Sequence, residues 1–367
     1  MLRGPDRTIH ARVGFAALIM VTAVWSGYFA WQRQALLGTA VKSDRVAAAV
    51  ARQQLRSAPL EAAALRHLAE ASEQDLTVQR ELYALSDRVS RRDTASQVWL
   101  LEDAAARGDL VATLARYDVL LMTRPALHKP LFGVLGRALG EPAVRTGLAP
   151  YAARPWLPAL IRHAAAEPGQ AGAALAAAEV TGLLRSTVAR RTLAAELIAG
   201  LVADRVMVGA AALADRVAGP GWRTFGFGAA ALDELLGPLA WQLSSGAVAG
   251  GGEGRAAGDL SVDTAPGRAV MAAQRTTLLP PGRYRLRYRI VAADAPGTGV
   301  IWQASCLGAP DRGRFVDARA AAVPGTVELA FEIPTSCPAQ HWALLAEGAD
   351  GQIGGQLYLG EADLVPQ

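Results

Sequence analysis

The chain has 367 residues, of which 51% are hydrophobic and 19% are charged, and its formal net charge is +4. This length suffices for two or three domains, and the small charge without a concentrated basic face argues against a nucleic-acid-binding protein. The histidines are scattered singly and no second metal-ligating pair accompanies the two cysteines, so we predict no metal centre and no cofactor.

Residues 13–31 are apolar and carry no charge. A helix of about 20 residues crosses a bilayer core about 30 Å thick, and aromatic rings, which favour the headgroup level, cluster at the C-terminal end of this stretch. It therefore predicts a transmembrane helix behind a cytoplasmic tail of residues 1–12. The alternative is a cleaved signal peptide, because Gly38-Thr39-Ala40 has the small residues of a cleavage site.

The sequence favours export of the body of the chain. Lysine and arginine residues are balanced across the two ends of residues 13–31, so their distribution does not decide the orientation. A short tail is easily kept in the cytoplasm, and Cys306 and Cys337 suit an oxidising compartment. We therefore expect a single-pass protein of the inner, cytoplasmic membrane whose C-terminal body is periplasmic.

Alanine dominates the sequence from residue 45 to 218, and proline and glycine divide this part into helical stretches. At Arg107-Gly108-Asp109, for example, one helix stops and the next one starts. The expected fold class is multidomain, α then β, with residues 32–218 as an α-helical repeat domain. Helices are predicted at 32–56, 60–71, 75–90, 94–106, 110–123, 127–139, 142–148, 156–166, 169–184, 188–203 and 205–218.

Two features recur at an offset of about 34 residues, the period of tetratricopeptide repeats: Leu65 with Trp99, and Tyr83 with Tyr117. Residues 94–125 resemble that family, with Gly108 at the turn, Tyr117 in the second helix and Pro125 at the close. The resemblance implies a stacked helical array that binds partner proteins on a concave surface. The alternative is a plain helical bundle that holds the C-terminal domain off the membrane.

Glycine and β-branched residues become commoner after residue 218, and residues 219–238 are predicted to form a linker. Residues 239–367 then show the two-residue alternation of strands separated by glycine and proline turns, which indicates an antiparallel two-sheet sandwich. Strands are predicted at 239–244, 258–263, 268–278, 283–292, 299–306, 326–333, 340–346 and 356–365.

The stretch LPPGRYRLRYRI, together with the closing LYLGEADLV, resembles the jelly-roll sandwiches of carbohydrate-binding modules. The resemblance covers residues 239–365. It implies a jelly-roll-like fold and a domain that binds glycan, although many unrelated sandwiches share such strands.

Arg283, Arg285, Arg287 and Arg289 alternate with apolar residues and should project from one face of their strand. We refer to these four residues as the arginine stripe. Their mutual repulsion is offset if Glu328 and Glu332 lie on the adjacent strand, and the stripe is then structural. The functional alternative is a binding surface for an acidic ligand such as an anionic polysaccharide, because arginine grips carboxylate and phosphate in a two-pronged fashion.

Cys306 and Cys337 lie at the ends of neighbouring predicted strands, and the chain has no third cysteine. We predict that they form a disulfide bond, which requires Cα atoms roughly 4.4–6.8 Å apart. The alternative is two buried free thiols.

No Ser-His-Asp arrangement or other catalytic constellation is readable, so no catalytic residue is predicted. The favoured function is a non-catalytic, membrane-anchored envelope scaffold for the assembly or export of surface polysaccharide. Its helical repeats would bind partner proteins, and its sandwich would bind glycan or protein. The alternative is an envelope enzyme that acts on glycans with an active site hidden from sequence reasoning.

Overall fold

The computed structural model describes residues 44–72, 74–249, 259–308, 313–348 and 355–367. The predicted transmembrane segment lies outside these ranges. Within them, no helix has both the length and the apolar character needed to cross a bilayer. The chain divides into two compact units. The first runs up to Ala164 and includes Ala173–Leu183, and the second comprises Ala165–Gly172 and Leu184–Gln367.

The described chain is helical up to Ala218, as predicted, and most helix ends lie within one or two residues of the expected positions. Short 3-10 turns connect several of the helices. The helices are α1 Asp44–Ser57, α2 Ala62–Glu70, α3 Leu76–Val89, α4 Thr94–Ala106, α5 Leu110–Thr123, α6 His128–Ala138, α7 Pro142–Gly147, α8 Trp156–Ala166, α9 Ala171–Val180, α10 Thr187–Ala203 and α11 Met207–Ala218.

Local sequence explains where these helices begin and end. The Asp75 side chain accepts hydrogen bonds from the backbone amides of Thr77 and Val78 at the start of α3, which satisfies donors that have no partner within the helix. Gly108 adopts a left-handed backbone with φ of 72° between α4 and α5, a conformation that glycine reaches without strain. The predicted stop and start at residues 107–109 is therefore confirmed.

The C-terminal half is a sandwich of two antiparallel five-stranded sheets, as predicted. The first sheet has the order β1-β4-β9-β6-β7 and the second has the order β2-β3-β10-β5-β8. The strands are β1 Gln242–Leu243, β2 Ala247–Ala249, β3 Leu260–Asp263, β4 Ala269–Thr277, β5 Gly282–Ala293, β6 Gly299–Cys306, β7 Arg314–Ala321, β8 Gly325–Ile333, β9 Gln340–Glu347 and β10 Gln356–Pro366.

Two strands were not predicted. β2 has only three residues, and β7 lies on the edge of the first sheet. The sequence of β7, RFVDARAA, contains three alanines and few β-branched residues, so its intrinsic strand signal is weak. Pairing with β6 along most of its length supplies what the sequence of β7 lacks.

The predicted linker packs into the sandwich core. Phe225 and Phe227 join Trp241, Trp302 and other buried side chains from both sheets in one apolar cluster. The ring centroids of Phe225 and Trp241 lie 5.2 Å apart in an edge-to-face arrangement, which aromatic quadrupoles favour. Residues 219–241 thus contribute core side chains to the sandwich.

Cys306 and Cys337 form a disulfide bond, as predicted, with their Cα atoms 5.3 Å apart. Cys337 is fully buried in a small cluster with Tyr284 and Ile333. The bond ties the end of β6 to the turn that precedes β9.

Candidate functional site

The arginine stripe lies on the outward face of the second sheet. In β5 the apolar residues Tyr284, Leu286, Tyr288 and Ile290 are buried, and all four arginines between and beside them are exposed. The alternation follows from the strand geometry, which sends successive side chains to opposite faces. The predicted faces are therefore confirmed, and the role of the stripe in binding stays a prediction.

β8 supplies the carboxylates expected on one neighbouring strand. Glu332 pairs in register with Arg283, and Glu328 pairs with Arg287. Two exposed ion pairs result, with Arg283 Nε 3.7 Å from Glu332 Oε2 and Arg285 Nη1 3.0 Å from Glu328 Oε2. At this end the arginine charges are offset within the sheet.

At the other end of the stripe, Arg289 lies over Gly360 in an irregular part of β10. A Cβ atom at residue 360 would lie 2.7 Å from Arg289 Nε, so a larger residue there would displace the guanidinium from this position. Arg289 Nη2 also lies 3.8 Å from Oδ1 of Asp259, a carboxylate that is 91% buried as a side chain. This arginine is thus held across β10 beside a buried acid.

Unlike the other three arginines of the stripe, Arg287 makes no ion pair with a described residue. It lies directly opposite Asp363 of β10 in the antiparallel register, and both residues are exposed. Among the described residues, however, neither Arg287 nor Asp363 comes within 4.0 Å of an opposite charge. A guanidinium and a carboxylate therefore lie in register on neighbouring strands without an ion pair between them.

Both residues line a cavity of about 570 Å³ on the same face. Arg287 and Arg289 contribute guanidinium groups, and Asp259, Glu361 and Asp363 contribute carboxylates. Two cations thus face three anions. The remaining wall is a backbone segment with small side chains, together with Phe227 and Ala362. The lining residues are Thr224, Gly226, Phe227, Gly228, Asp259, Arg287, Arg289, Glu361, Ala362 and Asp363.

Sequence reasoning did not single out Glu361, Asp363 or the wall at residues 224–228. The alternation in the closing strand, where Glu361 and Asp363 flank Ala362, carried the signal that both carboxylates share a face. The wall had no such signal, because its place beside β10 depends on tertiary contacts.

The outward face of the first sheet carries a different polar surface. One cross-strand row runs through Gln242, Gln274, Ala343, Gln303 and Asp317. Gln274 Nε2 donates to Gln242 Oε1 at 3.3 Å, and Gln303 Nε2 donates to Asp317 Oδ1 at 3.3 Å. These amides are already paired within the row, unlike Arg287 and Asp363.

Within the described ranges, no group of three or more His, Cys, Asp or Glu side chains is placed to hold a metal ion. His341, on the outward face of β9, has its pKa lowered by burial.

No protein-family model matches the sequence, and the search of curated proteins found no match. Among solved structures, the chain is similar to one titled TmCBM61 in complex with β-1,4-galactotriose, with 11% identity, a TM-score of 0.27, and coverage of 35% of this chain and 88% of that chain. A second similar structure, titled as a study of CBM4, has 13% identity, a TM-score of 0.23, and coverage of 30% and 72%. Neither similarity is strong enough to fix the ligand of this chain.

Proposed function

We propose that the sandwich is a non-catalytic saccharide-binding module whose ligand occupies the cavity beside Arg287. The observation that carries the proposal is that Arg287 and Asp363 both line this cavity and lie in register without an ion pair between them. Residues directly opposite on antiparallel strands have Cβ atoms about 4.5–5.5 Å apart, yet these two make no ion pair. A hydroxyl group both donates and accepts hydrogen bonds. A sugar hydroxyl can therefore accept from Arg287 and donate to Asp363 at the same time.

The charge of the cavity favours a neutral saccharide over an acidic one. Three carboxylates and two guanidinium groups line it, and Arg289 already lies near Asp259. An anionic sugar would meet Glu361 and Asp363 at short range, where like charges repel. The acidic-ligand interpretation of the arginine stripe rests on Arg287 alone, because Arg283 and Arg285 already lie near carboxylates.

The test is a titration calorimetry panel of neutral and uronic-acid oligosaccharides with the full chain and three variants. Arg287→Ala and Asp363→Ala each remove a hydrogen bond that involves a charged group, so each should weaken binding by about tenfold or more. Gln303→Ala, on the outward face of the other sheet, is the matched control and should bind like the parent.

Three other results of this titration would each contradict a different part of the proposal. If Gln303→Ala loses binding while the two cavity variants keep it, the module binds saccharide on the first sheet and the proposed site is wrong. Tighter binding of uronic-acid ligands than of neutral ones would contradict the charge argument. A parent that binds no saccharide in the panel would refute the proposed function.

We further propose that this module belongs to a membrane-anchored envelope scaffold for surface polysaccharide, in which the α-helical repeat domain of residues 32–218 binds partner proteins as tetratricopeptide-like arrays do. The support is the sequence alone: the apolar residues 13–31, and the resemblance of residues 94–125 to tetratricopeptide repeats. N-terminal sequencing and alkaline extraction of membranes test the anchor. A mature N-terminus near Val41, or release by alkali, would contradict it.

A pull-down from detergent-solubilised envelope tests the scaffold role. The full chain should capture partner proteins that a chain without residues 45–218 does not. The competing hypothesis, an envelope enzyme acting on glycans, predicts shortened oligosaccharides after incubation with the full chain; unchanged oligosaccharides that remain bound would support the binding role.

A further inference from the structure

Arg275 is a buried cation with an unusual set of partners. It lies on β4 and is 2% exposed, and it makes no ion pair with any described residue. Its guanidinium instead donates to three backbone carbonyl groups. Nε donates to Leu239 O at 2.8 Å, Nη1 donates to Thr224 O at 2.5 Å, and Nη2 donates to Trp222 O.

Burial of the Arg275 guanidinium is unfavourable in itself, because a charged group is more stable in water than in a protein interior. Burial lowers the pKa of Arg275 to about 10, because a charge in a poorly polarisable interior is destabilised. A buried cation persists only when enough hydrogen bonds compensate for lost water. Here the compensation comes from carbonyl groups of the segment that precedes the strands, so the cation and the segment depend on each other.

A second side chain holds the same segment. Trp241 Nε1 donates to Phe225 O at 2.7 Å, and the Arg275 guanidinium carbon lies 5.9 Å from the centre of the Trp241 ring. The carbonyl groups of Trp222, Thr224 and Phe225 therefore all accept hydrogen bonds from buried side chains. Residues 224–228 belong to no helix or strand, so the hydrogen bonds from Arg275 and Trp241 hold this part of the backbone in place.

The fixed segment continues directly into the cavity wall. Thr224, Gly226, Phe227 and Gly228 line the cavity opposite the arginine stripe. A Cβ atom at Gly226 would lie 3.1 Å from the carbonyl oxygen of Ala362, so the segment runs close against β10 between Glu361 and Asp363. A shift of the segment would therefore change the width of the cavity at the proposed saccharide site.

We propose that Arg275 is a positioning residue for this cavity, which sets the fit of the saccharide by clamping the backbone of residues 222–228. The inference rests on the proposed saccharide-binding function. Arg275 itself does not line the cavity and acts only through the segment.

The test compares Arg275→Lys with Val316→Ala in the full chain. Lysine keeps the charge, but its single ammonium group lacks the planar fork that reaches three separated carbonyl groups. Val316 is a buried core residue of β7, and two strands separate β7 from the strand that carries Arg275. Val316→Ala therefore destabilises the same sandwich while the hydrogen bonds from Arg275 and Trp241 to the segment stay in place. Saccharide affinity is measured at a temperature where every variant is folded, and hydrogen–deuterium exchange follows the peptides that cover residues 219–241.

We expect Arg275→Lys to weaken saccharide binding by about tenfold, equivalent to losing one good polar contact, and to raise exchange selectively in residues 219–241. Val316→Ala should lower the melting temperature and leave the affinity unchanged. If Arg275→Lys raises exchange in the segment but binds saccharide like the parent, Arg275 is only structural and the inference is wrong.

The inference is also wrong if exchange in the segment does not change. An equal loss of saccharide affinity in Val316→Ala would show that the loss in Arg275→Lys reflects lower stability of the sandwich, and the inference would then be wrong as well. If the parent binds no saccharide, the proposed function fails first, and the positioning role falls with it. These results are distinguishable because parent binding is measured independently of the variants.

Discussion

The first compact unit, which we call the helical unit, contains ion pairs with sheltered carboxylates, whereas Arg283 and Arg285 of the arginine stripe form exposed ion pairs. In the helical unit, Asp103 is 11% exposed and lies 2.7 Å from Arg80, and Asp118 is 12% exposed and lies 2.8 Å from Arg154. In the arginine stripe, Arg283 is 76% exposed and Glu332 is 69% exposed. Sheltered carboxylates depend on their partners, whereas exposed pairs contribute little because water and salt screen them. Arg283 and Arg285 can therefore lose these ion pairs at little cost to stability.

The comparison implies that the sandwich is stabilised by its apolar core and its disulfide bond. Replacing Cys306 and Cys337 together by alanine should lower the free energy of unfolding of the sandwich by about 2–4 kcal/mol, because the unfolded chain regains the freedom that the cross-link removes. Urea denaturation followed by tryptophan fluorescence measures the change. Reduction of the parent should reproduce it, and equal stability of the double variant and the parent would show that the bond is dispensable.

The corresponding change in the helical unit is Asp118→Ala. The carboxylate of Asp118 accepts hydrogen bonds from Arg154 and from Trp156 Nε1, the latter at 2.9 Å. Truncation leaves the buried indole N–H without this acceptor, so the unit should lose about 2 kcal/mol in a denaturation experiment monitored by circular dichroism. Asp118→Asn, which retains an acceptor for Trp156, should lose less. Equal losses in both variants would assign the effect to charge alone.

The helical unit should also weaken in acid. The hydrogen bond from Arg80, aided by the charges of Arg107 and Arg80, holds the pKa of Asp103 below its usual range despite partial burial. A depressed folded-state pKa stabilises the native state above the unfolded value of about 3.9, and this contribution is lost as pH falls through the folded value. Circular dichroism melts between about pH 5 and pH 2 measure it. The pH dependence should be shallower in Asp103→Asn, and identical slopes would contradict this origin.

The smallest effect is expected in the stripe. Glu328 lies 3.0 Å from Arg285, but both side chains are about half exposed, at 48% and 49%. Glu328→Gln should therefore change the free energy of unfolding by less than about 0.5 kcal/mol in urea. A loss of unfolding free energy as large as that of Asp118→Ala would contradict the difference drawn here between exposed and sheltered ion pairs.

The sequence predicted the elements whose local patterns agree with their final environment. β5 reads as a strand because Tyr284, Leu286 and their partners alternate with arginines, and the structure keeps that alternation. The turn at Gly108 was equally readable, because a left-handed position favours glycine. In both cases the local sequence is enough to determine the backbone conformation.

The remainder depends on contacts between distant parts of the chain. The candidate cavity joins residues 224–228 to β5 and β10, which lie far apart in the sequence. In the sequence, Arg275 is one polar residue in a moderately apolar strand. Its neighbours in the sequence do not indicate that its partners are the carbonyl groups of Trp222, Thr224 and Leu239. Which charges stay unpaired is likewise decided by strand register, and a one-residue shift would have reassigned them.

Glu328 and Glu332 have a further consequence, because β8 is an edge strand of the second sheet. No described strand pairs with its outer side, so its backbone groups there can be extended by another chain into a larger sheet. Charged side chains at alternate positions oppose this, since a second copy of the same strand would bring like charges together and desolvate them. The carboxylates that offset the arginine stripe thus also protect the protein from edge-to-edge aggregation.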